Sequence, residues 1–253
     1  MTSPEVLTHQ MIELNLTGMR ETFTVRTKQA REGSLTSEDF FGLMLQDELE
    51  YRRAARIKRL LKRAAFRQPA SLESLDLKLD RGLDKRQIKE LETCRFLDDG
   101  INILIMGPTG VGKTYLATAI GNAACRRGHS TIFFRMNALI EQMVLARAKG
   151  TYLNLLKRLA GCDLLILDDL GIKPLEAQHF QDLYDVIDER GEEKSTIVTS
   201  QLPVENWSEI IADPVACEAI TDRLSSIAIR LVMQGSSYRP KRGARKTTQL
   251  DKN

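Results

Sequence analysis

Apolar positions change their period once along this chain. Between residues 4 and 66 they recur at three- and four-residue steps, which predicts helices. Leu7, Met11 and Leu14 share one face, and Met19 and Phe23 resume the step after a break at Gly18, so 4–31 reads as helical. REGS at 31–34 reads as a turn. Thr36 or Ser37 can cap a second helix, with Glu38 and Asp39 in its first turn. After Gly42 no Gly or Pro interrupts that helix before Phe66. Phe41, Met44, Leu45 and Leu49 are expected to form its early apolar face, and Ile57, Leu60, Leu61 and Ala64 its later one. Pro69 ends the block, ASLESLDLKLD reads as a connector, 85–96 as a short helix and 98–100 as a turn.

From Ile101 onward, short β-type runs alternate with helical stretches. The runs are 101–106, 130–134, 163–168, 195–200 and 227–232, with helices expected notably at 113–127, 137–148, 151–160 and 176–190. Each run is apolar on both faces, which suits a five-stranded parallel sheet covered by helices. The expected organisation is a helical region at 1–68, an α/β domain at 69–238 and a polar, basic tail at 239–253. A chain of 253 residues can form one well-buried domain plus a smaller appendage.

Composition narrows this picture only a little. With 42% hydrophobic and 28% charged residues, the chain resembles neither a disordered nor a membrane protein. Cys94, Cys125, Cys162 and Cys217 lack zinc-ligand or redox spacing, so they read as scattered reduced thiols. The N-terminus lacks a basic segment followed by an apolar core, and no apolar run reaches membrane-spanning length; a cytoplasmic location is expected.

The chemistry concentrates at strand ends. GPTGVGKT follows the first strand and opens a helix. Its glycines permit backbone geometry that side chains obstruct, and the amides with the helix N-terminus suit phosphate oxygens. The candidate nucleotide contacts are Gly107, Pro108, Thr109, Gly110, Val111, Gly112, Lys113, Thr114 and Tyr115. Lys113 would reach the β- and γ-phosphates of ATP, and the Thr114 hydroxyl would ligate Mg²⁺. LLILDD at 164–169 is an apolar strand ending in two acids. Asp168 would hold the metal and Asp169 would polarise the attacking water, the alternative being an acidic turn. In P-loop proteins of the additional-strand class, run 130–134 lies beyond the acidic strand, and the acidic strand is then expected directly beside the P-loop strand. Thr199, Ser200 and Gln201 end the fourth run, where a polar group can contact the γ-phosphate or cap a turn before Pro203. Arg223 in DRL could serve a neighbouring subunit's ATP, or pair on the surface with Asp222 or Glu218.

YRRAARIKRLLKRAAFR at 51–67 contains Arg52, Arg53, Arg56, Lys58, Arg59, Lys62, Arg63 and Arg67, and no acid. On a helix, Arg52, Arg56, Arg59 and Arg63 form one flank, opposite Ile57, Leu60, Leu61 and Ala64. A solvated face, a membrane-surface helix and a nucleic-acid contact all fit this pattern, although the apolar stripe is modest and lacks Trp.

The ordered set FRQPASLESLD, GPTGVGKTYLATAIGNAACRRG, LLILDDLG, IVTSQLPVENW, ITDRL and GSSYRP, spanning about residues 40–240, resembles the IstB-like transposition helper ATPases of bacterial insertion sequences. These are relatives of the DnaC helicase loader within the AAA+ class. The resemblance implies an AAA+ core, ATP-dependent homo-oligomerisation, largely non-specific duplex DNA binding through the basic helix and recruitment of a transposase; a helicase-loading role is the alternative. It also implies ATP–Mg²⁺ binding at Lys113 and Thr114, metal at Asp168, the base at Asp169, a sensor at Thr199–Gln201, a trans-acting arginine finger at Arg223 and a second sensor at Arg239. Little chain follows Arg239, so the usual helical lid is not expected.

Overall fold

The computed structural model describes residues 3–33, 35–75, 81–172, 177–211, 213–235 and 237. The chain divides into two compact units between Lys62 and Arg63.

The first unit is helical. α1 (Pro4–Glu13) starts with Ser3 accepting a hydrogen bond from the Val6 amide at 3.3 Å and with Pro4 at its first position. The chain breaks at Asn15, whose φ is 55°, and resumes as α2 (Thr17–Glu32). The expected break at Gly18 is therefore misplaced, because Gly18 lies inside α2. A Cβ there would stand 2.6 Å from the Asp47 carbonyl and 2.8 Å from the Glu48 Cα. The glycine thus serves the close approach of α2 to α3 (Ser37–Ala64) and does not end a helix.

α3 begins with a reciprocal cap. The Thr36 hydroxyl accepts from the Asp39 amide at 3.1 Å, and the Asp39 carboxylate accepts from the Thr36 amide at 3.2 Å. The helix stops one residue before Ala65, whose φ is 57°, just short of the expected Phe66. On its early apolar face Met44 is buried, whereas Phe41, Leu45 and Leu49 face outward.

Polar groups complete the buried side. Arg26 forks onto Asp47 at 2.8 and 2.7 Å and, through that hydrogen bonding, pulls the carboxyl down to about 2. Buried Glu48 accepts from the Met19 amide at 3.2 Å and from Arg52 Nε at 2.7 Å. Burial opposes ionisation of Glu48, yet these bonds prevail and lower its pKa. Gly18→Val should destabilise the protein by roughly 1–3 kcal/mol through overpacking at this crossing. Urea unfolding measures the loss, and an unchanged midpoint would contradict the tight approach.

The second unit is a five-stranded parallel sheet. Its strands are β1 (Asn102–Met106), β2 (Thr131–Arg135), β3 (Leu164–Leu170), β4 (Ser195–Ser200) and β5 (Ala228–Val232), in the order β2-β3-β4-β1-β5. This corrects one expectation: β4 lies between the acidic strand and the P-loop strand, pairing Ile197 with both Ile103 and Ile166. As expected, β2 does lie beyond the acidic strand.

Successive side chains face opposite layers. Ile103 and Ile105 pack with Leu116 and Ile120 of α5 (Lys113–Arg126) and with Ile88 and Leu91 of α4 (Lys85–Thr93). Leu104 and Met106 pack into the other core, which contains α6 (Met136–Ala148), α7 (Tyr152–Ala160), α8 (Ala177–Arg190) and α9 (Pro214–Ser225). Helix α9 fills the gap between the fourth and fifth apolar runs. Its start is capped by Asp213, which accepts from the Val215 and Ala216 amides at 2.9 and 3.2 Å, with Pro214 at the first position.

Arg190 closes the end of α8. It is 3% exposed, and its guanidinium donates to the carbonyls of Leu159 at 2.6 Å, Cys162 at 3.0 Å and Ser195 at 2.5 Å and to the Thr196 hydroxyl at 3.0 Å. Burial lowers its pKa from the usual arginine value. One side chain therefore ties the end of α7 to the starts of β3 and β4.

Candidate functional site

The loop 107–112 joins the C-terminal end of β1 to α5. Gly107 has a φ of 147°, and a Cβ there would stand 2.2 Å from the Met233 carbonyl. That contact arises because the chain leaving β5 extends alongside the loop, with the Met233 amide donating to the Met106 carbonyl at 2.7 Å. Gly112, with φ 109°, caps α5 in a left-handed conformation that a side chain would strain. Lys113, the first residue of α5, is buried. Its ammonium donates back to the Gly107 and Pro108 carbonyls at 2.7 and 3.0 Å, spanning the loop from inside. Pro108 and Thr109 are exposed at the tip, and Val111 is buried below it.

The acidic strand meets this loop through hydroxyl groups. The Thr114 hydroxyl donates to the Asp168 carboxylate, 2.9 and 3.0 Å from its two oxygens. The Thr199 hydroxyl donates to Asp168 Oδ1 at 2.7 Å and accepts from the Asp169 amide at 2.9 Å. Asp168 is fully buried, and burial raises its pKa; the Thr199 bond opposes the rise, the Asp169 charge adds to it and the Thr114 bond opposes it.

The ladder between β3 and β4 shifts register between Leu167 and Leu170, and Asp169 takes a left-handed φ of 64°. This bulge turns the second acid out of the strand's alternation, at a cost that Asp bears better than most residues. The two donor oxygens on Thr114 and Asp168 suit a hard divalent cation that keeps further ligands from water and phosphate. Among the described residues no group of three or more His, Cys, Asp or Glu side chains forms a metal cage.

Within Thr199–Gln201, only Thr199 touches the acid pair. The Ser200 hydroxyl donates to the Leu170 carbonyl and accepts from the Leu202 amide, both at 3.1 Å, and Gln201 is exposed. The Tyr115 hydroxyl meets the backbone of Ser71, 3.4 Å from both its amide and its carbonyl.

Two arginines at the site were not anticipated. Arg135 ends β2 in register with Asp168, with Nε 3.6 Å from Asp169 Oδ2 and 4.0 Å from Asp168 Oδ2. Its only sequence signal is a basic residue at the end of STIFFR. Arg81 donates to the Val111 carbonyl at 3.1 Å from a segment that reads simply as connector.

Arg223 lies elsewhere. It sits in the last turn of α9, and its carbonyl accepts from Asn102 Nδ2 at 3.2 Å, at the N-terminal end of β1. The P-loop follows the opposite end of that strand, four residues or about 13 Å further along. The Arg223 guanidinium pairs with Asp188 at 2.5 Å and donates to the Tyr184 hydroxyl at 3.2 Å. It borders a cavity of about 400 Å³ lined also by Tyr184, Ile187, Glu192 and Asp222.

The basic residues Arg52, Arg53, Arg56, Lys58, Arg59, Lys62, Arg63 and Arg67 are all exposed, while Leu60 and Ala64 are buried and Ile57 and Leu61 half-buried. Arg239 lies outside the described residues. Cys94, Cys125, Cys162 and Cys217 are free thiols, and burial pushes Cys94 up to about 11. Among the described residues no helix is long and apolar enough to cross a membrane.

Comparison with known proteins places these features in a lineage. The family model for IstB-like ATP binding protein matches residues 9–246. A Sinorhizobium fredii protein whose name assigns it to an insertion sequence and to ATP binding is 38% identical over 226 residues, covering 89% of this chain and 92% of the relative. Among solved structures, DnaI superposes with a TM-score of 0.56 at 22% identity, covering 72% of this chain and 93% of that one. The DnaC helicase loader superposes with a TM-score of 0.53 at 20% identity, covering 65% and 97%.

Proposed function

Because the chain belongs to the IstB-like ATP binding protein family, we propose that it is an ATP-hydrolysing regulator of transposition that oligomerises on duplex DNA and recruits or stimulates a partner transposase. The observation that carries the ATPase reading is the hydroxyl–carboxylate–hydroxyl chain from Thr114 through Asp168 to Thr199, which joins the P-loop to two other strands.

In this reading the amides of the loop 107–112 and the Lys113 ammonium hold the β- and γ-phosphates of ATP, with Lys113 exchanging loop carbonyls for phosphate oxygens. Thr114 and Asp168 hold Mg²⁺, which when bound neutralises phosphate charge. Asp169 accepts the proton of the attacking water, and Thr199 fixes its backbone so that the carboxylate stays on the bulge. Ser200 keeps the turn after β4 in shape, and Gln201, exposed after it, would meet the γ-phosphate from the solvent side. Since Arg223 stands at the opposite end of β1, it serves a neighbour's nucleotide rather than its own. The insertion-sequence relatives, at higher identity than the replication proteins, favour transposition over helicase loading.

DNA binding rests on the exposed basic flank of α3, which suits phosphates and offers no base-reading pattern. With about four phosphate contacts, affinity should fall about a hundredfold between 50 and 200 mM salt. Anisotropy titration with unrelated duplexes measures this. Reversing Arg56, Arg59 and Arg63 to Glu should cost at least about tenfold in affinity and flatten the salt slope. Unchanged binding would remove α3 from the interface. Light scattering with and without ATP and duplex tests assembly, and a mass that neither addition changes would refute it.

A further inference from the structure

Arg81 lies against the P-loop but comes from outside it. Its guanidinium donates to the Val111 carbonyl at 3.1 Å, and a Cβ built on Gly112 would stand 3.0 Å from Arg81 Nη1. The cation therefore sits beside the loop residue that precedes Lys113. Backbone contacts hold it there. The Arg81 carbonyl accepts from the Gln234 amide at 3.0 Å, and a Cβ on Gly82, whose φ is 70°, would stand 2.6 Å from the Val232 carbonyl. The segment is thus seated on the chain that leaves β5, the same chain whose Met233 amide bonds Met106 at the start of the loop.

Charge gives this placement a consequence. A nucleoside triphosphate carries negative charge on each phosphate. Lys113 and the loop amides serve the β- and γ-phosphates in the reading above, while Asp168 and Asp169 bring two further negative charges to that end. Arg135, 3.6 Å from Asp169 and 4.0 Å from Asp168, answers the acids. The α-phosphate is the next group along the phosphate chain, and Arg81 is the cation set beside the neighbouring loop residue. A planar guanidinium forms charge-assisted hydrogen bonds to phosphate oxygens that outlast those to a neutral carbonyl.

We propose that Arg81 is a further nucleotide-binding residue, whose guanidinium exchanges the Val111 carbonyl for a non-bridging oxygen of the α-phosphate. The inference rests on the reading that the loop binds ATP, and it assigns to the connector before α4 a part in that site. ATP and ADP share the α-phosphate, so Arg81 holds both alike and keeps its grip after the γ-phosphate has gone. Removing it weakens both nucleotides together, whereas a contact to the γ-phosphate weakens ATP alone.

Calorimetric titration of the full chain with Mg²⁺ and each nucleotide tests it. Arg81→Ala should lower affinity for ATP and for ADP by about 10- to 100-fold. Arg81→Gln still offers an amide to the Val111 carbonyl but removes the charge, so it should lose about as much, and it carries the comparison if the alanine variant does not fold. Sulfur in place of oxygen at the α-phosphate of ATP should weaken binding to the native chain about fivefold or more in one of the two diastereomers. That penalty should shrink at least about threefold in either variant, because groups in contact are not additive. Native affinity in both variants, a loss confined to ATP, or a loss that leaves the sulfur penalty unchanged would each overturn the proposal, the last by showing that Arg81 only shapes the loop or meets the base. A native chain that binds neither nucleotide would overturn the ATP reading itself, and this contact with it.

Discussion

Arg223→Ala should lower ATP turnover by about a thousandfold or more while leaving ATP affinity within about twofold. The expectation follows from position. Arg223 is held by Asp188 and Tyr184 at the N-terminal end of β1, and the Lys113 and Asp168 side chains gather at the other end. A residue so placed is remote from its own phosphate site. In the proposed assembly it would supply charge to a transition state on a neighbouring subunit, where developing negative charge on the transferred group makes a guanidinium most effective.

Lys113→Ala should instead abolish nucleotide binding and the assembly that depends on it. A mixture of the two variants distinguishes cis from trans. A Lys113→Ala subunit retains Arg223, and an Arg223→Ala subunit retains a complete P-loop, so their shared interface contains one intact site. Turnover should reappear on mixing. If no ratio of the two restores hydrolysis although Arg223→Ala still binds ATP, the shared-site reading fails and the Asp188 pair is simply a surface ion pair.

Arg190→Leu should destabilise the protein by roughly 3–5 kcal/mol, a large share of the 5–15 kcal/mol typical of a folded domain. Burying a guanidinium without a carboxylate partner is costly, and here backbone carbonyls offset that cost. Arg190 donates to Leu159, Cys162 and Ser195, at the end of α7 and at the starts of β3 and β4. Leucine fills part of the volume but leaves those carbonyls unpaired, each at about 1–3 kcal/mol before relaxation. Arg190→Lys should lose most of the same energy, because an ammonium cannot span three acceptors that a planar fork reaches together. Urea unfolding followed by circular dichroism measures both variants. A loss below about 1 kcal/mol would show that water replaces the side chain at little cost.

These two arginines show how unevenly function and fold were legible along the chain. Arg223 was visible as a candidate only through the DRL motif and the family resemblance, because an arginine near the end of a helix has no distinctive local pattern. Arg190 left no signal, since an arginine between Glu189 and Gly191 reads as surface. Arg135 and Arg81 were equally silent, because each acts through a strand neighbour or loop distant in sequence. Thr199 was recognised as one of three polar residues at a strand end, and packing then selected it by aiming its hydroxyl at Asp168. On α3, periodicity located the helix, its cap and its early apolar face, and tertiary packing then buried Met44 while leaving Phe41, Leu45 and Leu49 exposed. A covered stripe and an uncovered one have the same period.

By itself the sequence determined the local pieces: five strands by apolar runs, the P-loop by its glycines and lysine, the acidic strand by LLILDD, and the basic helix by its charge. Each is set by interactions within a few residues, through turn geometry, side-chain period or helix capping. Strand order was decided only by the tertiary structure. All five runs are apolar, so nothing in them specifies neighbours, and the expected contact between β1 and β3 gave way to β4 lying between them. That insertion places Thr199 between the P-loop and the acid pair and lets the bulge at Asp169 form against β4, and the chain then runs through α9 so that Arg223 lies at the N-terminal end of β1. Such relations depend on packing between segments many residues apart, where many side chains together choose an arrangement that no single segment encodes.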